Sequence, residues 1–309
     1  MLERSLKNRF LTWPNLLLVI LLGIQFLPDR VEKDPQSLYV VAVALAAGIL
    51  GAVAAVRIEK PSLYQLFCDI MTVIYAVLIA WTLFTAKGDV LREALFPGPG
   101  RVFQQIMLDW DKILVNIASS LGIIVQGFAL GGVTAIPLGL FLGWSLRFSS
   151  AAIYISKFLG AIPPVVYIPY GIALLPTFRS VSVFVIFLAT FWPVLAGTMS
   201  GALGVDGNII DSAKVMNLGR WRMLRRIILP ASLPQIFLGC NQGLSVSFIL
   251  LTSAEMIGAR NGMGYYIKNY SDLGNYTRAL AGVIVIGVVI TVFVYFINRL
   301  QRHLLRWKR

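Results

Sequence analysis

The sequence has few charged residues, two cysteines and one histidine, and each shortage excludes a class of protein. Charged residues make up 13% of the 309 residues, against about a quarter in soluble domains, and the mean hydropathy is +0.78. Cys68 and Cys240 lie in apolar stretches, so we expect neither a disulfide framework nor a metal cluster. With only His303, the chain cannot form a His-based triad or an HExxH zinc site. A water-soluble enzyme is therefore excluded.

Basic residues outnumber acidic ones, with 27 Lys and Arg against 14 Asp and Glu. They occur in short clusters separated by long uncharged runs, whereas a nucleic-acid-binding protein has a continuous basic face or stripe. This spacing predicts that the basic residues lie at the surface of a lipid bilayer, and we expect no nucleic-acid partner.

Long runs with few charges predict the membrane topology. A hydrocarbon core about 30 Å thick is crossed by about 20 apolar residues. Eight windows qualify, at about residues 10–27, 38–56, 66–86, 115–146, 151–175, 181–203, 236–257 and 279–298. The first also resembles a signal peptide, but no small-residue cleavage site follows it. Alternate connections carry 16 and 10 Lys and Arg, so the positive-inside rule predicts that both termini are cytoplasmic.

The eight windows predict an all-α, multi-pass membrane protein. Close helix packing is indicated by four G-x-x-x-G pairs, which we expect to form contacts within one bundle and not a dimerisation face. The pairs are Gly127/Gly131, Gly139/Gly143, Gly197/Gly201 and Gly239/Gly243.

Prolines and polar residues inside the apolar windows are the candidates for a transport pathway. Lipid cannot replace the hydrogen bonds that proline removes, so residues 151–176 are predicted either to line a pathway or to form a kinked packing helix. Glu255 has three interpretations: it binds a cation, pairs with Arg260 or Lys268, or holds the following loop. The pathway candidates are Pro163, Pro164, Tyr167, Pro169, Trp192, Asn241, Gln242 and Glu255.

The connection at residues 204–235 is predicted to form a short helix, a turn and a second helix. Asp206 or Asn208 can cap the first helix, and both Asn217 and Gly219 tolerate the left-handed conformation that ends a helix. The second helix is expected to run from Trp221 to Leu229, before Pro230 and Pro234. Apolar Val215, Met216 and Leu218 at the tip predict a cytoplasmic partner that receives them.

This connection resembles the EAA loop of permease subunits of bacterial ABC importers. That signature is an acidic-small-Ala triplet, three residues, Gly, nine residues and Ile-x-Leu-Pro. Here Asp211-Ser212-Ala213 forms the triplet and Ile227-Ile228-Leu229-Pro230 the end, at matching spacing, while Asn217 replaces the Gly. Asn is the next most tolerant residue for a left-handed turn, so the replacement is mild.

Further stretches are similar to the nitrate/sulfonate/taurine/bicarbonate branch of these permeases, and the resemblance covers about residues 66–300. The chain departs from this branch in YGIALLPTF, which lacks the usual Phe-Gly-Ile-Gly ending, and in its first 60 residues. The matching stretches are FPGPGRVF at 96–103, the Ser119–Gly127 helix start, AIPPVVYIP at 161–169, FWPVLAGTMSG at 191–201, LPASLPQIFLG at 229–239 and AEMIGARNGMGYYI at 254–267.

The resemblance implies a six-helix type I importer permease core in residues 61–309, preceded by an extension of two helices in residues 1–60. It implies an inner-membrane homodimer that works with two ABC ATPase subunits and an extracytoplasmic solute-binding protein. The transported solute would be an organic or inorganic anion such as a sulfonate, nitrate or bicarbonate. The residues implied to couple to the ATPase are Asp211, Ser212, Ala213, Lys214, Val215, Met216, Asn217, Leu218, Gly219 and Arg220.

The sequence has no G-x-x-x-x-G-K-[ST] motif, so ATP and Mg²⁺ are expected to bind the partner ATPase and this chain is expected to need no cofactor. Two alternatives stay open: a stand-alone secondary transporter and a polytopic membrane enzyme. The first should show inverted repeats, and the second a cluster of catalytic side chains. Within the importer interpretation, Asn217→Gly should be tolerated, and Ala213→Asp should uncouple transport from ATP hydrolysis.

Overall fold

A computed structural model of the chain describes residues 13–28, 37–57, 60–88, 90–91, 94–144 and 146–304, and every regular element within them is helical. The all-α prediction is therefore confirmed. The helices are α1 (Trp13–Gln25), α2 (Ser37–Arg57), α3 (Pro61–Thr82), α4 (Pro99–Leu108), α5 (Trp110–Trp144), α6 (Leu146–Ala161), α7 (Ile168–Leu174), α8 (Phe178–Leu203), α9 (Gly207–Val215), α10 (Arg220–Met223), α11 (Leu229–Gly258), α12 (Met263–Asp272) and α13 (Tyr276–Leu304).

Six helical segments of the described chain are long and apolar enough to cross a membrane: α2, α3 with the π-helical turn that follows it, α5, α8, the continuous segment Arg220–Gly258, and α13. The predicted span at 151–175 is bent by 75° between Ala151–Ala161 and Pro164–Leu174, and it is a seventh candidate span if the bent pair crosses the membrane as one. Of the predicted first span at 10–27, residues 10–12 lie outside the described residues, and the described part forms α1, which is about 20 Å long.

Prolines interrupt the helix at residues 151–175 but do not interrupt the helix that follows the knob region. α6 ends at Ala161, and Pro163 and Pro164 begin the 3-10 turn Pro164–Tyr167 that precedes α7. Pro230 and Pro234 do not interrupt the next helix, so the prediction that it stops before them is wrong. A π-helical turn, Leu224–Ile228, lies just before Pro230 and relaxes the hydrogen-bonding pattern where proline lacks its N–H.

The chain forms two compact units. The first contains Met1–Trp110 and Tyr270–Val283, and its core brings together Leu21 of α1, Val40 of α2 and Tyr75 of α3. At the end of α4, Asp109 accepts a hydrogen bond from Gln105 at 2.9 Å and pairs with Arg278 at 2.8 Å. The boundary predicted at residues 60/61 stays a prediction.

The second unit contains Asp111–Asn269 and Ile284–Arg309, and its centre is a close contact between α8 and α11. Glycine permits this contact: a Cβ atom on Gly239 would lie 2.5 Å from the carbonyl oxygen of Pro193, and one on Gly197 would lie 2.6 Å from that of Gln235. Gly127 and Gly131 of α5 meet Ile186 and Thr190 of α8 in the same way. The prediction that the G-x-x-x-G pairs pack within one bundle is confirmed.

Candidate functional site

The loop between α8 and α11 forms a projecting knob, defined here as residues 206–219. Asp206 begins α9, and its carboxylate accepts a hydrogen bond from the backbone N–H of Asn208 at 2.9 Å. Asn217 has φ 53°, the left-handed conformation predicted for it, and the N–H of Leu218 donates to the carbonyl of Ala213 at 3.2 Å. Gly219 differs from the prediction, because it is extended, at φ −61° and ψ 152°, and precedes α10.

The base of the knob is packed against the second unit's own helices. Ala213 is 2% exposed and lies in an apolar cluster with Leu140 of α5, Ala202 of α8 and Met223 of α10. Leu218 is half-buried and packs on the same cluster, so it is less exposed than Val215 and Met216, and its contact with a partner stays a prediction. The apolar side chains on the inner side of α9 therefore serve to hold the knob in place.

The tip of the knob exposes large apolar side chains. Val215 is 88% exposed and Met216 74%, and Trp221 on the neighbouring helix is 71% exposed. Exposed basic residues follow along α10 and the π-helical turn: Arg220, Arg222, Arg225 and Arg226. Asp211 and Lys214 are also exposed and pair with each other at 2.8 Å. The combination is an apolar tip beside a basic strip.

A second loop, residues 259–264, lies at the far end of α11 and is fastened by Glu255. The Glu255 side chain is 1% exposed, and its two oxygens accept hydrogen bonds from the Ser120 hydroxyl at 2.7 Å and from the N–H of Gly264 at 2.8 Å. Ser120 also accepts from the N–H of Met263 at 2.9 Å. Of the three interpretations of Glu255, this geometry favours the one in which it holds the loop.

Asn116 adds a further link between α5 and this loop. Its side-chain oxygen accepts a hydrogen bond from the N–H of Gly262 at 2.8 Å, and its amide group donates to the carbonyl of Lys112 at 2.7 Å. Gly262 has φ 128°, and a Cβ atom there would lie 2.3 Å from Cδ of Glu255. We call this arrangement of Asn116, Ser120, Glu255, Gly262 and Gly264 the carboxylate lock.

The other pathway candidates are spread along the second unit. Four of them lie at the bend between α6 and α7: Pro163, Pro164, Tyr167 and Pro169. The ring of Trp192 on α8 packs edge-on against that of Phe191, with 4.9 Å between the ring centroids. Asn241 donates a hydrogen bond to Gln301 of α13 at 2.8 Å. Gln242 and Ser245 are exposed on α11 within a membrane-spanning segment. Lipid cannot satisfy an amide, so the face with Gln242 requires water or another protein surface.

Comparison with known proteins decides the family. A family model described as "Binding-protein-dependent transport system inner membrane component" matches residues 135–309. The chain belongs to this family. It is 30% identical to a protein of Brucella abortus (strain 2308) named "Probable ABC transporter permease protein", over 74% of this chain and 90% of that protein.

Two further relatives of this permease carry substrate names. It is 27% identical to the nitrate import permease protein NrtB of Leptolyngbya laminosa, over 61% of this chain and 73% of that protein. It is 28% identical to a Bacillus subtilis (strain 168) permease protein, SsuC, named for aliphatic sulfonates transport, over 75% of this chain and 85% of that protein.

A solved structure shares the permease fold. A chain of the MetNI methionine ABC transporter, from inward-facing crystals, superimposes with a TM-score of 0.54 at 16% identity, covering 64% of this chain and 98% of that chain. The predicted fold class of an ABC importer permease is therefore confirmed, and this chain is a multi-pass inner-membrane transport component.

Sequence reasoning did not identify the partners of Glu255. Ser120 lies 135 residues before Glu255, so no local pattern joins them. A signal was nevertheless available, because glycines at 258, 262 and 264 surround Arg260 and Asn261, and a glycine-rich turn after a buried acid is typical of a loop held by its backbone N–H groups.

Proposed function

We propose that this permease forms the translocation pathway of an ATP-driven importer for a small anion. It would work as a homodimer with two copies of an ABC ATPase, which bind ATP and Mg²⁺, and with an extracytoplasmic solute-binding protein that delivers the anion. Both termini would be cytoplasmic. The observation that carries the proposal is the knob, whose base is packed on the bundle while its apolar tip is exposed.

The knob is suited to transmit force because its two sides differ. A partner that binds Val215 and Met216 removes their apolar surface from water, which is favourable. Movement of that partner then reaches α5 and α8 through Ala213, because the buried cluster joins α9 to both helices. The coupling requires that the partner contact the knob differently in the inward-open and outward-open states.

A second surface supports the homodimer. Gln242 and Ser245 are exposed on the described chain, although they lie within the membrane-spanning part of α11. A second copy facing this surface would enclose a water-filled space in which the amide and hydroxyl are hydrated. This arrangement makes α11 a wall of the pathway, and it joins that wall directly to the knob through α10.

The names of the relatives indicate the class of solute. Nitrate and aliphatic sulfonates are the solutes in two of their names, and bicarbonate shares their chemistry: each is a small oxyanion that carries one negative charge near neutral pH. We therefore propose a monovalent oxyanion as the solute class for this chain.

Reconstitution in proteoliposomes tests the proposal. The permease would be reconstituted with an ABC ATPase and a solute-binding protein from the same organism, and uptake of labelled nitrate, methanesulfonate and bicarbonate would be measured with and without enclosed ATP. We expect uptake of one of these anions that requires all three components and ATP. Uptake by the permease alone, driven by an ion gradient, would overturn the proposal in favour of a secondary transporter.

A further inference from the structure

A cavity of about 520 Å³ in the second unit lies at the start of α8, the end remote from the knob. The 26 residues of α8 span about 39 Å, so the cavity and the knob are separated by about the thickness of a membrane. Its walls come from α5, the start of α8 and the loop after α11. The lining residues that matter here are Ser119, Arg179, Ser182, Arg260 and Asn261.

Two arginines give this cavity a positive charge. Arg179 and Arg260 both line it, and none of the described residues that line it is acidic. Neither guanidinium pairs with a carboxylate within the described part of the chain. Glu255, near the end of α11, is already engaged by Ser120 and Gly264 in the carboxylate lock. The charge of the two arginines is therefore not neutralised locally.

Both arginines are exposed, and each is carried by a packed part of the second unit. The guanidinium of Arg179 lies against α5, where a Cβ atom on Gly122 would be 3.5 Å from Nη2. Arg260 belongs to the loop that the carboxylate lock fastens at Gly262 and Gly264. The lock therefore has a consequence for the cavity: it fixes the backbone that carries Arg260 and Asn261.

The cavity also has a continuation. Arg179 and Thr177 line a second cavity, of about 360 Å³, whose other walls include Gln126 and Leu130 of α5 and Phe184 and Phe187 of α8. On α5, the positions that line the two cavities, 119, 123, 126 and 130, follow one face of the helix. Arg179 therefore lies where a charged, hydroxyl-lined cavity meets an aromatic one.

We propose that Arg179 and Arg260 form a binding subsite for a monovalent oxyanion at the membrane face opposite the knob. The inference rests on the proposed function and deepens it by giving the permease its own contact with the solute. Guanidinium groups bind oxyanions through paired N–H donors, and the hydroxyl of Ser119 supplies a further donor. The hydroxyl of Ser182 already donates to the carbonyl of Phe178 at 3.1 Å and contributes only to the wall. The pair attracts the anion released to this face and brings it to the start of the second cavity.

The subsite can be tested by the reactivity of a cysteine in the cavity, which needs no ATPase and no binding protein. Ser119→Cys would be introduced into a full-length chain in which Cys68 and Cys240 are replaced by Ala, held in nanodiscs. Labelling rates would be compared for two methanethiosulfonate reagents, one carrying a sulfonate and one a trimethylammonium group. We expect the sulfonate reagent to react faster by about tenfold, because a cleft of one charge concentrates counter-ions.

The substitutions Arg179→Gln and Arg260→Gln together should reduce this ratio to about that of an exposed cysteine, while Arg179→Lys should retain most of it. Arg57→Gln on α2 removes the same charge from an exposed position outside the cavity and should leave the ratio unchanged. Nitrate or methanesulfonate should protect the introduced cysteine from the sulfonate reagent, whereas gluconate at the same ionic strength should not, because it is larger.

Equal rates for the two reagents, or a ratio that the Gln substitutions leave unchanged, would overturn the subsite. Protection by gluconate as strong as by nitrate would do the same, since it would show screening and not binding. The melting temperature of each variant distinguishes lost charge from lost fold, and the Arg179→Lys variant keeps the test decisive if a Gln variant unfolds. ATP-driven uptake by the full assembly would remain a separate result, so the subsite can fail while the proposed function stands.

Discussion

The two loops at the ends of the α10–α11 segment differ in how their surfaces are satisfied. The knob, before α10, exposes Val215 and Met216 to water, whereas the loop after α11 has its N–H groups bound by Asn116, Ser120 and Glu255. The second loop is completed by the chain itself, and the first has an apolar surface that only another molecule can cover. One end of this long helical segment is therefore fixed, and the other is prepared for a partner.

This comparison predicts that the fixed end responds most strongly to a small substitution. Gly262→Ala should reduce the free energy of unfolding by about 4 kcal/mol, because the added Cβ atom would lie 2.3 Å from Cδ of Glu255 and φ is 128°. The measurement is thermal unfolding in detergent. Gly274→Ala is the matched control: φ is 71° and there is open space around the Cβ position, so it should cost only about 1 kcal/mol. Equal losses for the two variants would contradict the lock.

At the knob, a negative charge at the buried base should impair coupling more than the same charge at an exposed position of α9. Ala213→Asp places a charge in the apolar cluster with Leu140 and Met223, at a cost of about 3 kcal/mol, and should lower the ratio of anion transported to ATP hydrolysed. Asn208→Asp adds the same charge in the first turn of α9, where the side chain is exposed and lies outside the residues implied to couple, and should retain the ratio. Both ratios are measured in proteoliposomes. Normal coupling by the Ala213→Asp protein would show that the base does not transmit movement.

The smallest effect is expected at the turn of the knob. Asn217→Gly should change stability by less than about 1 kcal/mol and leave uptake unchanged, because φ is 53° and Gly adopts this conformation readily. Asn217→Val should cost about 2 kcal/mol, since a β-branched residue is strained there. Thermal unfolding and uptake of the two variants give the comparison, and equal tolerance of Gly and Val would mean that the left-handed turn is not required.

Local sequence signals predicted the parts of this permease that depend on neighbouring residues. Six apolar runs became long helices, Asp206 capped α9, and Asn217 ended it, because capping and hydrophobic length are set within a few residues. Pro230 was misleading, since a π-helical turn before it allows the helix to continue. The half-burial of Leu218 was also missed, because it depends on a cluster that includes Leu140, far away in the sequence.

The candidate site was less predictable than the helices, because its contacts join residues that are far apart in the sequence. Glu255 was recognised as an acid within an apolar run, but its role depends on Ser120 and on the backbone of Gly264, which only the packed structure brings together. Arg179 contributed only to the count of basic residues in the connections, and its place in a cavity follows from the approach of α5 to the start of α8. The roles of Glu255 and Arg179 depend on long-range packing, which residue type alone does not predict.

The most direct test of the account is whether the exposed tip binds an ABC ATPase. An ABC ATPase from the same organism would be co-purified in detergent with four chains. They are the wild-type chain, the double variant Val215→Asp and Met216→Asp, a matched variant with Leu at both positions, and a chain whose residues 211–219 are replaced by a Gly/Ser linker. The account predicts that the ATPase is retained by the wild-type and Leu chains and lost from the Asp and linker chains, while all four permeases stay folded. Retention by the Asp variant, or no ATPase on the wild-type chain, would contradict it.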